Sequence, residues 1–177
     1  MVDLKKEALT LVSKVHSTDH ISDVSLEYID IPQEALSNPL SEGSFNIYLN
    51  HNSSYNKLAI IHELGHRIDV LINSNIEGSL EYGSEVSYAY NTFRSCIEAT
   101  ASYPHLIQTG NSYEKEWKEI FARAYTQYVI CKTKQKEYVR LLTKAMYVGT
   151  YLYFTLEELI PIGKAIDDLL ALSNLKR

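Results

Sequence analysis

The chain has 177 residues, 45% of them hydrophobic and 22% charged, with a formal net charge of -5. That length suits one domain with a real core, no Gly/Ser- or Pro-rich linker divides it, and the charge balance argues against the basic footprint that nucleic acid demands. No apolar run is long enough to span a bilayer and Met1 to Val15 lacks the continuous apolar stretch of a signal peptide, so we expect a single cytoplasmic domain without nucleic-acid or membrane partners, export by another route aside.

In chain order, Leu4, Ala8, Leu11, Val12 and Val15 recur at helical spacing, which predicts an amphipathic helix over Asp3 to Val15. Val24 to Ile31 alternates and is closed by Pro32, the pattern of a strand. After a loop containing Pro39 and Gly43, Phe45, Ile47 and Leu49 alternate with Asn46, Tyr48 and Asn50, a second strand. Asn50 to Asn56 is a polar loop in which Ser53 or Ser54 could cap the next helix, and His51 reads as a solvated loop residue.

That helix carries His62-Glu63-Leu64-Gly65-His66, followed by Arg67, Ile68 and Asp69. At about 100° per residue, Ile61, Leu64, Ile68, Leu71 and Ile72 fall on one side and His62, His66, Asp69 and Asn73 on the other, with Glu63 at their edge. One face suits a core and the opposite face suits chemistry. Two histidines four apart on a helix point their rings the same way, and a glutamate beside the first can serve a metal-activated water, so the pattern points to a catalytic zinc site. The plain alternative is a surface helix with two solvated histidines. The helix is expected to end near Ile72, and Asn73 to Gly83, rich in Asn, Ser and Gly, reads as a loop.

Val86, Tyr90, Phe93 and Ile97 mark a further helix stopped by Pro104, with His105 exposed behind it. Trp117, Ile120, Phe121, Ala124, Tyr125 and Tyr128 form a strong core-facing stripe, and Glu119 and Arg123 lie off it, one turn apart. A hydrolytic zinc site needs three protein ligands and an open fourth position, and a carboxylate from a separate helix commonly supplies the third. Glu119 can do so, with Glu116 one turn earlier as its competitor. The structural alternative for Glu119 and Arg123 is an exposed i, i+4 ion pair. From Lys134 to about Tyr147 runs a basic-faced helix ended near Gly149, and Tyr147, Tyr151, Tyr153 and Phe154 form an aromatic patch. Thr155 with Glu158 resembles a capping box, although Pro161 suits a first turn better and could move the start of the last helix to Ile160. Cys96 and Cys131 sit inside apolar helical patterns without metal-type spacing, which predicts buried reduced thiols. The 14 tyrosines can line a peptide groove or pack half-buried at the edge of a core.

His62 to Asp69, H-E-L-G-H-x-x-D, together with Glu119 to Tyr125, E-I-F-A-R-A-Y, resembles the anthrax lethal factor-like zincins. That group includes the lethal factor catalytic domain, the clostridial Pro-Pro endopeptidases and metallopeptidase-like domains of large phage polyvalent proteins. The resemblance is closest to the phage-type domains, through the Phe-Ala-Arg-Ala run after the glutamate and a C-terminal helix similar to Glu157 to Leu170. It spans roughly residues 44 to 172 in order of elements, and only the two motifs are specific.

The resemblance implies an α+β, mostly helical zincin-like metallopeptidase with a small sheet and an active-site helix. It implies one Zn2+ bound by His62, His66 and Glu119, Glu63 as general base, and a peptide or protein substrate. Asp69 matches the motif residue after the second histidine and would orient His66 through its free ring nitrogen. Arg123 stands where the toxin and Pro-Pro branches have a second glutamate, so hydrogen bonding around the ligands is expected to differ. Those branches place a tyrosine where this chain has Ser112; the adjacent Tyr113 is the candidate for a transition-state hydroxyl. By fold analogy, the strand before the zinc helix would form the cleft rim and pair with an extended substrate. Two other functions suit the same residues: a non-catalytic zinc-containing peptide-binding or regulatory module, which leaves Glu63 without a task, and a hydrolase of non-peptide amides.

Overall fold

A computed structural model describes residues 3–19, 21, 24–33, 35–37, 45–147 and 153–175. The loop with Pro39 and Gly43, the helix stop at Gly149 and Tyr151 lie outside them. The architecture is α+β and mostly helical, with one small three-stranded sheet. Among the described residues no helix is long and apolar enough to cross a membrane.

Helix α1 (Leu4–Val12) starts where the Asp3 side chain accepts from the Lys6 N–H at 3.1 Å, and it buries Ala8, Leu11 and Val12. Strands β1 (Ser25–Ile29), β2 (Ala35–Ser37) and β3 (Asn46–Asn50) follow. Their order is β1-β3-β2, with β3 parallel to β1 and antiparallel to β2. The strand before the motif helix is therefore central. Both its edges are taken, so it cannot pair with a substrate, and the expected rim role falls away from it. β2, too short to leave an alternation in the sequence, owes its existence to the β3 ladder.

Helix α2 (Asn56–Glu77) begins at a Tyr55 cap with no side-chain hydrogen bond; neither Ser53 nor Ser54 caps it, and the Ser53 hydroxyl accepts from the Tyr55 N–H at 3.0 Å instead. It also runs past the expected stop near Ile72. Nothing between Asn73 and Glu77 breaks it, and Asn73 turns its amide outward to the carbonyls of Ser79 and Glu81 at 3.3 and 3.2 Å. The stop is Gly78, at φ +71°, a conformation that only glycine adopts without strain.

The single helix expected from Val86 to Ile97 is broken into α3 (Gly83–Val86), a 3-10 turn (Tyr88–Tyr90) and α4 (Asn91–Glu98), and Val86 is exposed. Ser87 in extended backbone makes the break, its hydroxyl accepting from the Ala89 N–H at 3.1 Å. Pro104 does not stop a helix; it lies in the first turn of α5 (Ser102–Thr109), where a missing N–H costs nothing.

Helix α6 (Trp117–Thr133) is buried without interruption from Glu119 to Ile130. Then come α7 (Lys136–Tyr147) and α8 (Leu156–Leu172). The Thr155–Glu158 capping box is formed, so α8 starts at Leu156 and not near Ile160. Pro161 is tolerated inside it on the exposed side, where the helix bond it removes is exchanged for water. Of the residues expected to form an aromatic patch, Tyr147 is 92% exposed while Phe154 is buried. Both cysteines are free and half-buried rather than buried.

The core of these elements is one apolar cluster, centred on the contact between α2 and α6. A Cβ at Gly65 would lie 3.1 Å from the Ala122 Cα and from Tyr125 Cδ1, and 3.3 Å from the Ala122 carbonyl. The two backbones meet there because no side chain intervenes. Gly65→Ala would gain about 1 kcal/mol of helix propensity, but overpacking against a helix backbone costs about 1–3 kcal/mol. We predict net destabilisation, read as a lower midpoint in urea unfolding; a midpoint equal to or above the parent's would show that α2 and α6 have slack.

Candidate metal centre

His62 and His66 stand one turn apart on α2 with ring centroids 4.8 Å apart, edge to face. The Glu119 carboxylate reaches them from the first turn of α6: Oε2 is 3.2 Å from His62 Nε2 and Oε1 is 3.2 Å from His66 Nε2. Glu119 is 3% exposed. Its competitor Glu116 stays at the surface, 41% exposed, paired with Lys118 at 2.6 Å. The fold thus brings Glu119 to the histidines and leaves Glu116 outside. The exposed-pair alternative for Glu119 and Arg123 is overturned by their burial, Arg123 being 5% exposed.

The donor set of two imidazoles and a carboxylate fits a divalent metal. Tetrahedral bonds of 2.0–2.1 Å put neighbouring ligand atoms about 3.3 Å apart, close to the 3.2 Å separations here. Glu119 Oε1, though 3.2 Å from His66 Nε2, is a buried oxygen without a hydrogen-bond partner among the described residues. A cation between oxygen and nitrogen would satisfy both lone pairs. Ligand atoms of His62, Glu63 and His66 also lie within 4.8 Å of one another, but one Glu63 oxygen is already committed. Glu63 Oε2 accepts from the hydroxyl of Ser37, on edge strand β2.

Burial pushes the Glu119 carboxyl up, but the hydrogen bond with His62 and the nearness of His66 outweigh it and hold the group far below the usual carboxylate range. Burial lowers the His66 pKa while Glu119, Glu63 and Asp69 raise it, with a net upward result. Asp69 is fully buried and, chiefly through that burial, its pKa is pushed up to about 6 against the hydrogen bonds it accepts. Ser84 occupies both its oxygens: the backbone N–H donates to Oδ1 at 2.9 Å and the hydroxyl donates to Oδ2. The expected hydrogen bond to His66 is absent, since His66 Nδ1 has no partner among the described residues. Asp69 acts on His66 through its charge, and its carboxylate fixes α3 against α2.

Two tyrosines flank the centre. Tyr113 is 53% exposed; partial burial first, then the Glu119 carboxylate, raise its pKa. Tyr82, from the turn after α2, sets its ring edge to face with His66 at 5.7 Å, and burial together with the charges of Glu63, Asp69 and Glu119 raises its pKa as well. Lys118 Nζ lies 5.5 Å from the Tyr82 ring and 5.8 Å from the Tyr113 ring. Sequence reasoning found neither Ser37 nor Tyr82. Ser37 lies in a three-residue strand with no pattern of its own, and the one signal for Tyr82 was an aromatic residue in the short loop directly after the motif helix. His51 stacks on Tyr28 of β1 at 5.4 Å.

Comparison with protein-family models, with curated proteins and with solved structures gives no match to this chain.

We predict that metal analysis after dialysis finds one zinc per chain in the parent and in Glu116→Ala, and little in Glu119→Ala. Zinc lost from the Glu116 variant and kept by the Glu119 variant would reverse the ligand assignment.

Proposed function

We propose that the chain is a zinc-dependent metallopeptidase of zincin-like fold, with His62, His66 and Glu119 holding the ion and a peptide or protein as substrate. The observation that carries this reading is the buried Glu119 carboxylate 3.2 Å from both imidazole Nε2 atoms, with Glu63 close by on α2. When bound, zinc would polarise a carbonyl and bring the pKa of a water to about 7.

The remaining chemistry belongs to the chain. Glu63 accepts the proton of the attacking water and passes it to the leaving amine. The Ser37 hydroxyl, donating to Glu63 Oε2, fixes the carboxylate and leaves Oε1 for the proton. Tyr113 and Tyr82, with phenol pKa values raised above the ordinary value, stay protonated at neutral pH and can donate to a developing oxyanion. Strand β2 is an edge strand and carries Ser37 beside Glu63, which makes it the strand along which an extended peptide would lie.

The deciding experiment is Glu63→Gln, read by zinc content and by digestion of a peptide library followed by mass spectrometry. Glutamine is nearly isosteric, so zinc and fold should persist while cleavage falls by about 10² to 10⁴, the usual cost of losing a general base. A glutamine variant that cleaves at the parent rate would exclude this mechanism. Tyr113→Phe should keep zinc and slow turnover by about 10² or more, the scale for one oxyanion donor. Parent-rate turnover in Tyr113→Phe combined with a loss of that size in Tyr82→Phe would transfer the role to Tyr82.

A further inference from the structure

Arg123 is 5% exposed, and a guanidinium removed from water has to find acceptors and countercharge for the five N–H groups it carries. Its Nε donates to the Glu119 carbonyl at 3.1 Å and its Nη2 donates to the Glu114 carbonyl at 2.6 Å. Burial presses its pKa down, and the charges of Glu119 and Glu114 work against that.

The first of these bonds stays within α6; the second leaves it. Glu114 belongs to the turn that precedes the helix, and that turn is closed on itself. The Asn111 N–H donates to the Glu114 carboxylate at 2.8 Å, the Glu114 N–H donates back to Asn111 Oδ1 at 2.9 Å, and the Glu116 N–H donates to the Tyr113 carbonyl at 3.1 Å. Tyr113 is thus carried by a small hydrogen-bonded turn, which the Arg123 guanidinium ties to the body of α6. A lysine would hold it less well, since its donors sit on one nitrogen, whereas arginine donates here from Nε and Nη2 to two carbonyls in different directions.

We propose that Arg123 is a positioning residue: one guanidinium joins the first turn of α6, which bears Glu119, to the turn bearing Tyr113, and so fixes where the Tyr113 side chain stands relative to that helix turn. The consequence for catalysis rests on the metallopeptidase reading above; the clamp itself does not.

The test uses the full chain labelled with 3-fluorotyrosine, the Tyr113 resonance being the one lost in Tyr113→Phe, together with zinc affinity measured by competition with a chromophoric chelator. In Arg123→Lys with the circular dichroism of the parent, the Tyr113 fluorine resonance should leave its parent position and narrow towards that of a free tyrosine side chain. The zinc Kd should rise about 10- to 100-fold, the scale for losing a group that supports a ligand. Arg123→Gln should give the same shift, and if it fails to fold, Arg123→Lys decides alone. An arginine that merely stabilises the fold would lower the melting midpoint and leave the Tyr113 resonance in place, which would overturn the proposal. So would a parent whose Tyr113 resonance already has the position and narrow line of a free side chain, a result that needs no variant. A parent that binds no zinc would sink the functional reading, while the fluorine shift would still report on the clamp.

Discussion

The close contact of α2 with α6 is the constraint on which the rest of the structure depends. Where Gly65 faces Ala122 the helices approach backbone to backbone, and His66, beside that point on one helix, meets Glu119, one turn before it on the other. A carboxylate 3% exposed would cost several kcal/mol if it faced nothing polar. The two imidazoles are what make its burial tolerable, and they can do so only if the helices stay at this distance. Packing of the smallest residue in the motif therefore sets the geometry of the most polar ones.

The polar faces of these helices are turned inward and answered largely by the backbone of loops. Asp69 is taken by Ser84, and the Tyr90 hydroxyl donates to the Asp69 carbonyl at 3.2 Å. Asn73 bonds the carbonyls of Ser79 and Glu81, and Arg123 bonds those of Glu119 and Glu114. At the far side, His16 is buried between the Ser17 carbonyl and the Tyr125 hydroxyl, each at 2.6 Å. A carbonyl only accepts, so His16 Nδ1 donates to Ser17, and Nε2 shares a hydrogen bond with the Tyr125 hydroxyl. Each such bond would be costly to leave unmade in a low-dielectric interior. Their sum specifies where the loops run, and the loops carry Tyr82 and Tyr113 to the centre.

The centre is asymmetric in charge. Glu63, Asp69 and Glu119 surround the histidines from within, while the cation nearest the two tyrosines, Lys118, is held at the rim by Glu116 and by both rings. Such a cluster of buried carboxylates is suited to a cation and, after burial itself, helps hold the flanking phenols in their protonated form.

Much of this was legible in the residues. The 3.6-residue period identified α2 and α6, the spacing of His62 and His66 announced two rings on one side, and Thr155 with Glu158 marked the start of α8, because these are local relations that the chain carries within a few turns. Periodicity reports the contrast between two faces of one segment, however, and says nothing about what covers the polar one. Whether Glu119 or Glu116 meets the histidines, whether Arg123 is exposed, and that Asp69 is bound by Ser84 rather than by His66 were decided by how the helices and loops pack. So was the central position of β3, since a strand learns its neighbours only from the sheet. Ser37 and Tyr82 reach the centre through contacts far apart in sequence, and such contacts leave no trace in the order of residues around them.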